Sequence, residues 1–194
     1  MKKSITAVAA SLIALATASA DPISGSIAFT GGVTLDTQDA GTAIKVMQWT
    51  SATGPGMPTV LSDTGSFAAF VAPGTAAAFN PAWLFDTTSQ VNNFWSVGGF
   101  VFNLVSSQIT SQKVGVGVTV SGMGFITGPA GSGLDSTPGT WTFSATDPAT
   151  GMFDENTPIF TFQGLTPAPD GGMTLVLLGA SLSGLALAKR KIKA

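Results

Sequence analysis

The stretch Phe94-Trp95-Ser96-Val97-Gly98-Gly99-Phe100-Val101-Phe102-Asn103-Leu104-Val105, with Val114-Gly115-Val116-Gly117-Val118-Thr119-Val120-Ser121 after a polar interval, decides the fold class. Phe100, Phe102 and Leu104 fall on one side of an extended chain, because successive side chains of a strand point to opposite faces. Val114, Val116, Val118 and Val120 alternate with Gly, Thr and Ser in the same way, which predicts a strand on a half-buried antiparallel sheet. The pair Gly98-Gly99 predicts a bulge.

Working outward, the rest of the chain from Asp21 repeats this grammar of short runs rich in Val, Ile, Phe, Trp and Thr, separated by Gly, Pro, Asn, Asp and Ser. Ser24–Thr30, Gly31-Gly32 and Val33–Leu35 predict a hairpin with a two-glycine turn. Ala43 to Trp49 is a strand candidate of undecided register. Thr53 to Pro58 predicts a loop. Phe67–Val71 and Ala76–Phe79 predict short strands around a turn at Pro73-Gly74. Trp83-Leu84-Phe85 is apolar. Leu134–Ser144 predicts a tight turn at Pro138-Gly139 that feeds a strand with Trp141 and Phe143 inward, and Ile159–Phe162 is the last strand. Eight to ten short strands without an amphipathic helix predict an all-β fold, a single antiparallel β-sandwich or small barrel. A membrane-spanning barrel is disfavoured, since few segments reach the roughly ten residues its strands need.

The two ends read differently. Met1-Lys2-Lys3, the apolar run Ile5–Ala16 and Ala18-Ser19-Ala20 before Asp21 match a signal peptide, residues 1–20, cleaved by signal peptidase after Ala20. At the other end, a spacer (164–167) follows the secreted domain (21–163). Next come a short motif, Ala168-Pro169-Asp170-Gly171-Gly172, an apolar run from Met173 to Ala188, and a basic tip of Lys189, Arg190, Lys191 and Lys193. The 16 residues of 173–188 make about 24 Å of helix against a hydrocarbon core of about 30 Å. The basic tip anchors the cytoplasmic side. Such a segment spans weakly, which suits a tail that holds the membrane only until it is cut off.

Between the terminal segments only Lys45 and Lys113 are cationic, against ten acidic residues from Asp21 to Asp170, a balance of −8. Such a body does not neutralise phosphates, which argues against nucleic acid. The chain has no Cys and no His, so a Ser-His-Asp triad, a thiol nucleophile, a Cys or His metal site and a disulfide are all excluded. Its core alone must hold it together.

Motif, apolar helix and basic tip together resemble the PEP-CTERM class of bacterial sorting signals, most closely its VPDSG variant, which carries Val where Ala168 stands and Ser at or near Gly171. The resemblance implies recognition by an exosortase, a membrane-embedded processing enzyme, in a Gram-negative bacterium that makes exopolysaccharide. The segments Val97–Leu104 and Leu134–Ser144 also resemble stretches recurring in the bodies of some PEP-CTERM proteins, to which no activity is attached. The alternative for the tail is a permanent anchor with small-residue packing faces such as Gly179 and Ser183. Either way, the main domain is expected outside the cell, at the envelope or in the extracellular matrix.

No catalytic or cofactor-binding residue stands out. Asp154 and Glu155, with Asp36, Asp39 and Asp63, are the carboxylates an extracellular Ca²⁺ site would use. None follows a known Ca²⁺ pattern, and turn-forming Asp bonded to its own backbone is the favoured account. Trp49, Trp83, Trp95 and Trp141 offer faces on which sugars stack, though a disulfide-free β core needs such rings itself. The expectation is a non-enzymatic exported surface or matrix protein associated with exopolysaccharide. A carbohydrate-binding module is the alternative, and a carboxylate glycosidase is the least supported, since the chain holds one Glu.

Overall fold

The computed structural model describes residues 21–52, 56–80, 82–146 and 159–164. The fold is all-β. Its strands are β1 (Asp21–Pro22), β2 (Ser26–Thr30), β3 (Gly32–Leu35), β4 (Lys45–Thr50), β5 (Thr59–Asp63), β6 (Ala78–Phe79), β7 (Trp83–Leu84), β8 (Val91–Val97), β9 (Phe100–Lys113), β10 (Gly117–Thr127), β11 (Leu134–Asp135), β12 (Thr137–Thr146) and β13 (Phe160–Gly164). Eight form one antiparallel sheet in the order β5-β2-β13-β12-β10-β9-β8-β6, three form a second sheet, β3-β4-β7, and β1 pairs in parallel with β11.

The large sheet is strongly curled. In a flat sheet β2 and β8, five neighbours apart, would be separated by about 24 Å, yet Phe29 of β2 and Trp95 of β8 have ring centroids 4.9 Å apart. The chain from Ala72 to Asn80 bridges the two edges. The Val60 N–H donates to the Thr75 carbonyl (2.9 Å), and the Ala77 N–H donates to that of Pro58 (2.9 Å). Ala78 and Phe79 then pair with Ser96 and Trp95 of β8. Edge groups that would otherwise template aggregation are thus occupied.

Inside the curl, alternation delivers the core: Phe100, Phe102 and Leu104 from β9, Val118 and Val120 from β10, Trp141 and Phe143 from β12, Phe160 and Phe162 from β13, all buried. The small sheet contributes Trp49 and Trp83, whose rings meet Phe143 at 5.7 and 5.3 Å. Trp141 stacks on Phe160 at 5.4 Å and 11°. Each such pair contributes about 0.5–1.5 kcal/mol beyond the area it buries. The outward face is hydroxyl-rich and uncharged: Thr161, Thr142, Ser121 and Gln108 form one cross-strand row, and Gln163, Thr140, Met123 and Ser106 the next.

Several expectations are corrected. Gly98-Gly99 is no bulge but the two-residue hairpin turn between β8 and β9, with φ of 56° and 85°, the left-handed pair that a type I′ turn requires. The bulges lie further along β9, at Val105 and Thr110, which have no partner in β10. The first flips the alternation, so that Ser107 turns inward and is buried. Val114 and Val116 are not part of β10. They stand 67% and 52% exposed in the tip between β9 and β10, where the positive φ of Gly115 ends the strand pattern.

Gly31-Gly32 makes no hairpin, because β2 already lies between β13 and β5. The chain instead runs on through Gly31 into the second sheet. Gly65–Ala69 is a 3-10 turn rather than a strand, and it inserts Phe67 into the core. The turn at Pro73-Gly74 stands, closed by the Thr75 N–H to the Ala72 carbonyl at 3.1 Å. Pro138-Gly139 lies within β12, where Pro138 is exposed and precedes the ladder to β13, which opens at Gly139. Ala43 does not start a strand. β4 begins at Lys45, and the ladder to β3 passes over Met47, leaving Val46 and Trp49 inward.

Strands β9, β10 and β12 have 14, 11 and 10 residues, so the length argument against a membrane-spanning barrel fails. Polarity replaces it. These strands put aromatic rings inside and Ser, Thr and Gln outside, the inverse of a barrel that faces lipid.

A Cβ on Gly139 would stand 2.3 Å from the Phe162 ring and 2.5 Å from the Gln163 carbonyl oxygen. Gly139→Ala is therefore expected to cost about 1–3 kcal/mol, read as a lower urea midpoint at unchanged slope. Adding Phe162→Leu should recover part of the loss, and outward-facing Thr142→Ala should stay within about 0.5 kcal/mol of the parent.

Candidate functional site

Asp21 is the one residue of the expected processing signals that falls among the described residues. It is exposed in β1, and its N–H donates to the Gly133 carbonyl at 3.0 Å. Ala18 and Ala20, the motif Ala168, Pro169, Asp170, Gly171 and Gly172, the helix expected over 173–188, the basic residues Lys189, Arg190, Lys191 and Lys193, and the Ca²⁺ candidates Asp154 and Glu155 all lie outside them. Among the described residues no helix is long and apolar enough to cross a membrane.

The fold nevertheless fixes where those segments attach. Ile23 donates its N–H to the Thr137 Oγ1 at 2.8 Å in a buried bond, and the Gly164 N–H donates to the Gly25 carbonyl at 3.0 Å. The close approach of Gly164 to Ile23, where a Cβ would stand 2.6 Å from the Ile23 oxygen, requires glycine. The segment Ile23–Gly25, which follows β1, and the last described residue, Gly164, therefore lie side by side.

The carboxylates of the Asp36–Lys45 loop serve the backbone. Asp36 Oδ1 accepts the N–H groups of Ile44 and Lys45 at 3.1 and 3.2 Å. Asp39 Oδ1 accepts that of Gly41 at 2.7 Å, and both its oxygens accept that of Gly115, at 3.1 and 3.0 Å. This is the turn-forming role expected of them. Among the described residues no three Asp, Glu, His or Cys groups gather to hold a metal ion. Asp63 Oδ2 is buried without a hydrogen-bond partner, at the ladder position opposite Ile27.

None of the four tryptophans offers a sugar platform, for all are buried at 6% exposure or less. Trp49 donates its Nε1–H to the Asn80 carbonyl at 2.9 Å, while the Nε1–H groups of Trp83, Trp95 and Trp141 are buried without a hydrogen-bond acceptor.

One feature went unnoticed in the sequence. The Asp36–Lys45 loop is clamped onto the β9–β10 tip by Asp39 and by the Gln112 Nε2 bond to the Ala43 carbonyl at 2.7 Å, which brings Lys45 and Lys113 to the same end as exposed Ile44, Leu84, Val114 and Val116. The available signal was the Val-Gly-Val-Gly run, in which positive-φ glycines flank a valine no core requires.

No protein-family model matches the chain, and no curated protein sequence or solved structure matches it either.

Asp39→Ala removes the acceptor for two amides of a partly buried clamp, so a loss of about 1–3 kcal/mol is expected. Thermal melting of the variant checks it. Neither Ca²⁺ nor EDTA should move the melting temperature of the parent, and a fall on adding EDTA would show that a cation is held.

Proposed function

We propose that the chain is an exported, non-enzymatic surface or matrix protein whose β domain is carried between two processing signals: a signal peptide ending at Ala20 and a PEP-CTERM-like tail from Ala168 that an exosortase cuts. The body is a small barrel, its curled sheet closed by the Ala72–Asn80 bridge across the edges and plugged by the three-stranded sheet. Exopolysaccharide of the matrix is its surrounding, as the resemblance of the tail implies.

The observation that carries this reading is the meeting of Gly164, at the end of β13, with Ile23 and Gly25, the segment that follows Asp21 and Pro22, at one end of the barrel. A domain that enters and leaves at one point is processed at both termini without disturbing its core. It also hangs from a membrane by that end, with only residues 165–172 between the last strand and the apolar run. Further support is chemical. A chain without Cys or His lacks the side chains on which most nucleophilic and zinc hydrolysis depends. The sugar-binding alternative loses its stacking platform with the burial of the indoles.

Intact-mass analysis of the protein recovered from envelope and culture medium tests the reading. The expected species starts at Asp21 and ends within Ala168–Gly172. A chain that persists to Ala194 in the envelope would replace the sorting signal by a permanent anchor, and one that starts at Met1 would remove export.

A further inference from the structure

Strand β13, the last element among the described residues, lies in the middle of the large sheet rather than at its edge. On one flank stand β2 and β5, from the N-terminal part of the chain. On the other stand β12, β10, β9 and β8, an antiparallel meander in which the chain passes from each strand of the sheet to its neighbour. Thr161 pairs with Thr142 on the meander side and with Ala28 on the other, and the ladders run from Phe160 to Gly164 along β12 and from Phe160 to Gln163 along β2. Apart from the Ala72–Asn80 crossing at the far edges, no other ladder of the large sheet joins the two parts among the described residues.

The side chains of β13 make the same join inside the core. The Phe160 ring meets Phe29 of β2 at 6.4 Å, and Trp141 and Phe94 of the meander at 5.4 and 5.6 Å. The Phe162 ring meets Phe67 of the 3-10 turn at 6.2 Å, and Trp95 and Phe102 at 6.4 and 5.1 Å. Both flanks are shaped to receive the strand. Gly139 of β12 leaves the space that the Phe162 ring fills, and the Gly25 carbonyl accepts the Gly164 N–H at 3.0 Å. We propose that β13 is a closing strand: it docks last, into a slot already framed by β2 and β12, so that completion of the domain waits for the C-terminal end of the body to arrive.

The order follows from what each pairing costs to close. Ladders of the meander join segments near in sequence, and the two-residue turn at Gly98-Gly99 already sets β8 against β9. Pairing β2 with β13 joins the first strand of the large sheet to the last, with a larger loss of chain entropy. A strand of five residues offsets that loss only when both ladders and both sets of ring contacts form together, which requires its two flanks to be in place. The cellular consequence rests on the export reading above. A chain threaded N-terminus first keeps β2 and β12 unpaired along their facing edges until Gly164 has crossed. Since only residues 165–172 separate Gly164 from Met173, the domain closes as the apolar run reaches the membrane, and no finished barrel has to pass a channel.

Stopped-flow unfolding and refolding in urea tests the order of closure, and does so whether or not the export reading holds. It uses the protein as recovered from cells, in detergent where the C-terminal apolar segment is retained, with the fluorescence of the four buried tryptophans as the signal. Phe162→Leu should speed unfolding about tenfold and leave folding within about twofold of the parent, as expected for contacts absent from the transition state. Thr161→Gly, half-buried on the outer face, weakens the strand without opening the core and should divide in the same way, which covers the case of a Phe162→Leu chain that does not fold. Val120→Ala, buried in β10 within the meander, should instead slow folding about fivefold. Variants of β13 that slow folding by as much as they lower the folding equilibrium constant would overturn the proposal, because β13 would then belong to the nucleus. So would a Val120→Ala chain that folds at the parent rate, because the slot would then not be in place first.

Discussion

Contact between aromatic rings across the curled sheet is what the other features depend on. With no cysteine in the chain, no disulfide opposes the entropy of the unfolded state, and a β domain of this size relies on its buried core. Phe29 against Trp95 joins strands that are not neighbours in the sheet, Trp49 against Phe79 joins the two sheets, and Trp141 stacks on Phe160 of the adjoining strand between them. They hold the curl that brings the Ala72–Asn80 segment within reach of both edges. Were the rings smaller, the sheet would open, and β5 and β6 would each expose unpaired backbone. The glycines Gly124 and Gly139 belong to the same arrangement. Each leaves room for a ring, of Phe102 and Phe162 respectively, where a Cβ would overlap it.

Filling the interior this way leaves polar groups without partners. Three of the four indole N–H groups are buried with no conventional acceptor, although such a group ordinarily finds one. Their surroundings explain the tolerance. Trp83 meets Phe143 at 90° and Trp141 at 71°, edge-on arrangements in which the positive rim of an indole faces the negative face of another ring. Electrostatic attraction to ring faces offsets part of the desolvation cost, and the area buried by an indole exceeds what a smaller apolar residue would supply.

The all-β class was legible because alternation is local: period alone put Phe100, Phe102 and Leu104 on one face and Trp141 and Phe143 inward, and all five are buried. Punctuation was less reliable. Gly98-Gly99 looked like a bulge and is a turn, whereas Pro138-Gly139 looked like a turn and is strand. A glycine marks a place where a Cβ is unwelcome, and only the tertiary neighbours say whether the reason is a positive φ or an incoming ring. The bulge at Val105 carried no signal, since a bulge is a mismatch between two strands and neither strand alone records it. Of the candidate sites, the backbone-serving role of Asp36 and Asp39 followed from residue type. Their clamp onto Gly115, 76 positions away for Asp39, is a contact between segments that no local pattern encodes.

The arrangement of ends follows from strand parity. β10 and β12 are long antiparallel neighbours, and β13 is short, so the chain that leaves β12 at Thr146 returns at Phe160 and runs back to finish at Gly164 beside Gly25. Two such passes, an even number, return the chain to the end at which β12 began, and the longest hairpin, β9–β10, projects its tip the other way. The polar face between the two ends is uncharged over its Thr, Ser and Gln rows, so it neither draws nor repels a charged polymer. The two lysines of the body and the exposed aliphatic side chains of the β9–β10 tip stand at the end of the curled sheet away from Gly164, together with Asp36 and Asp39.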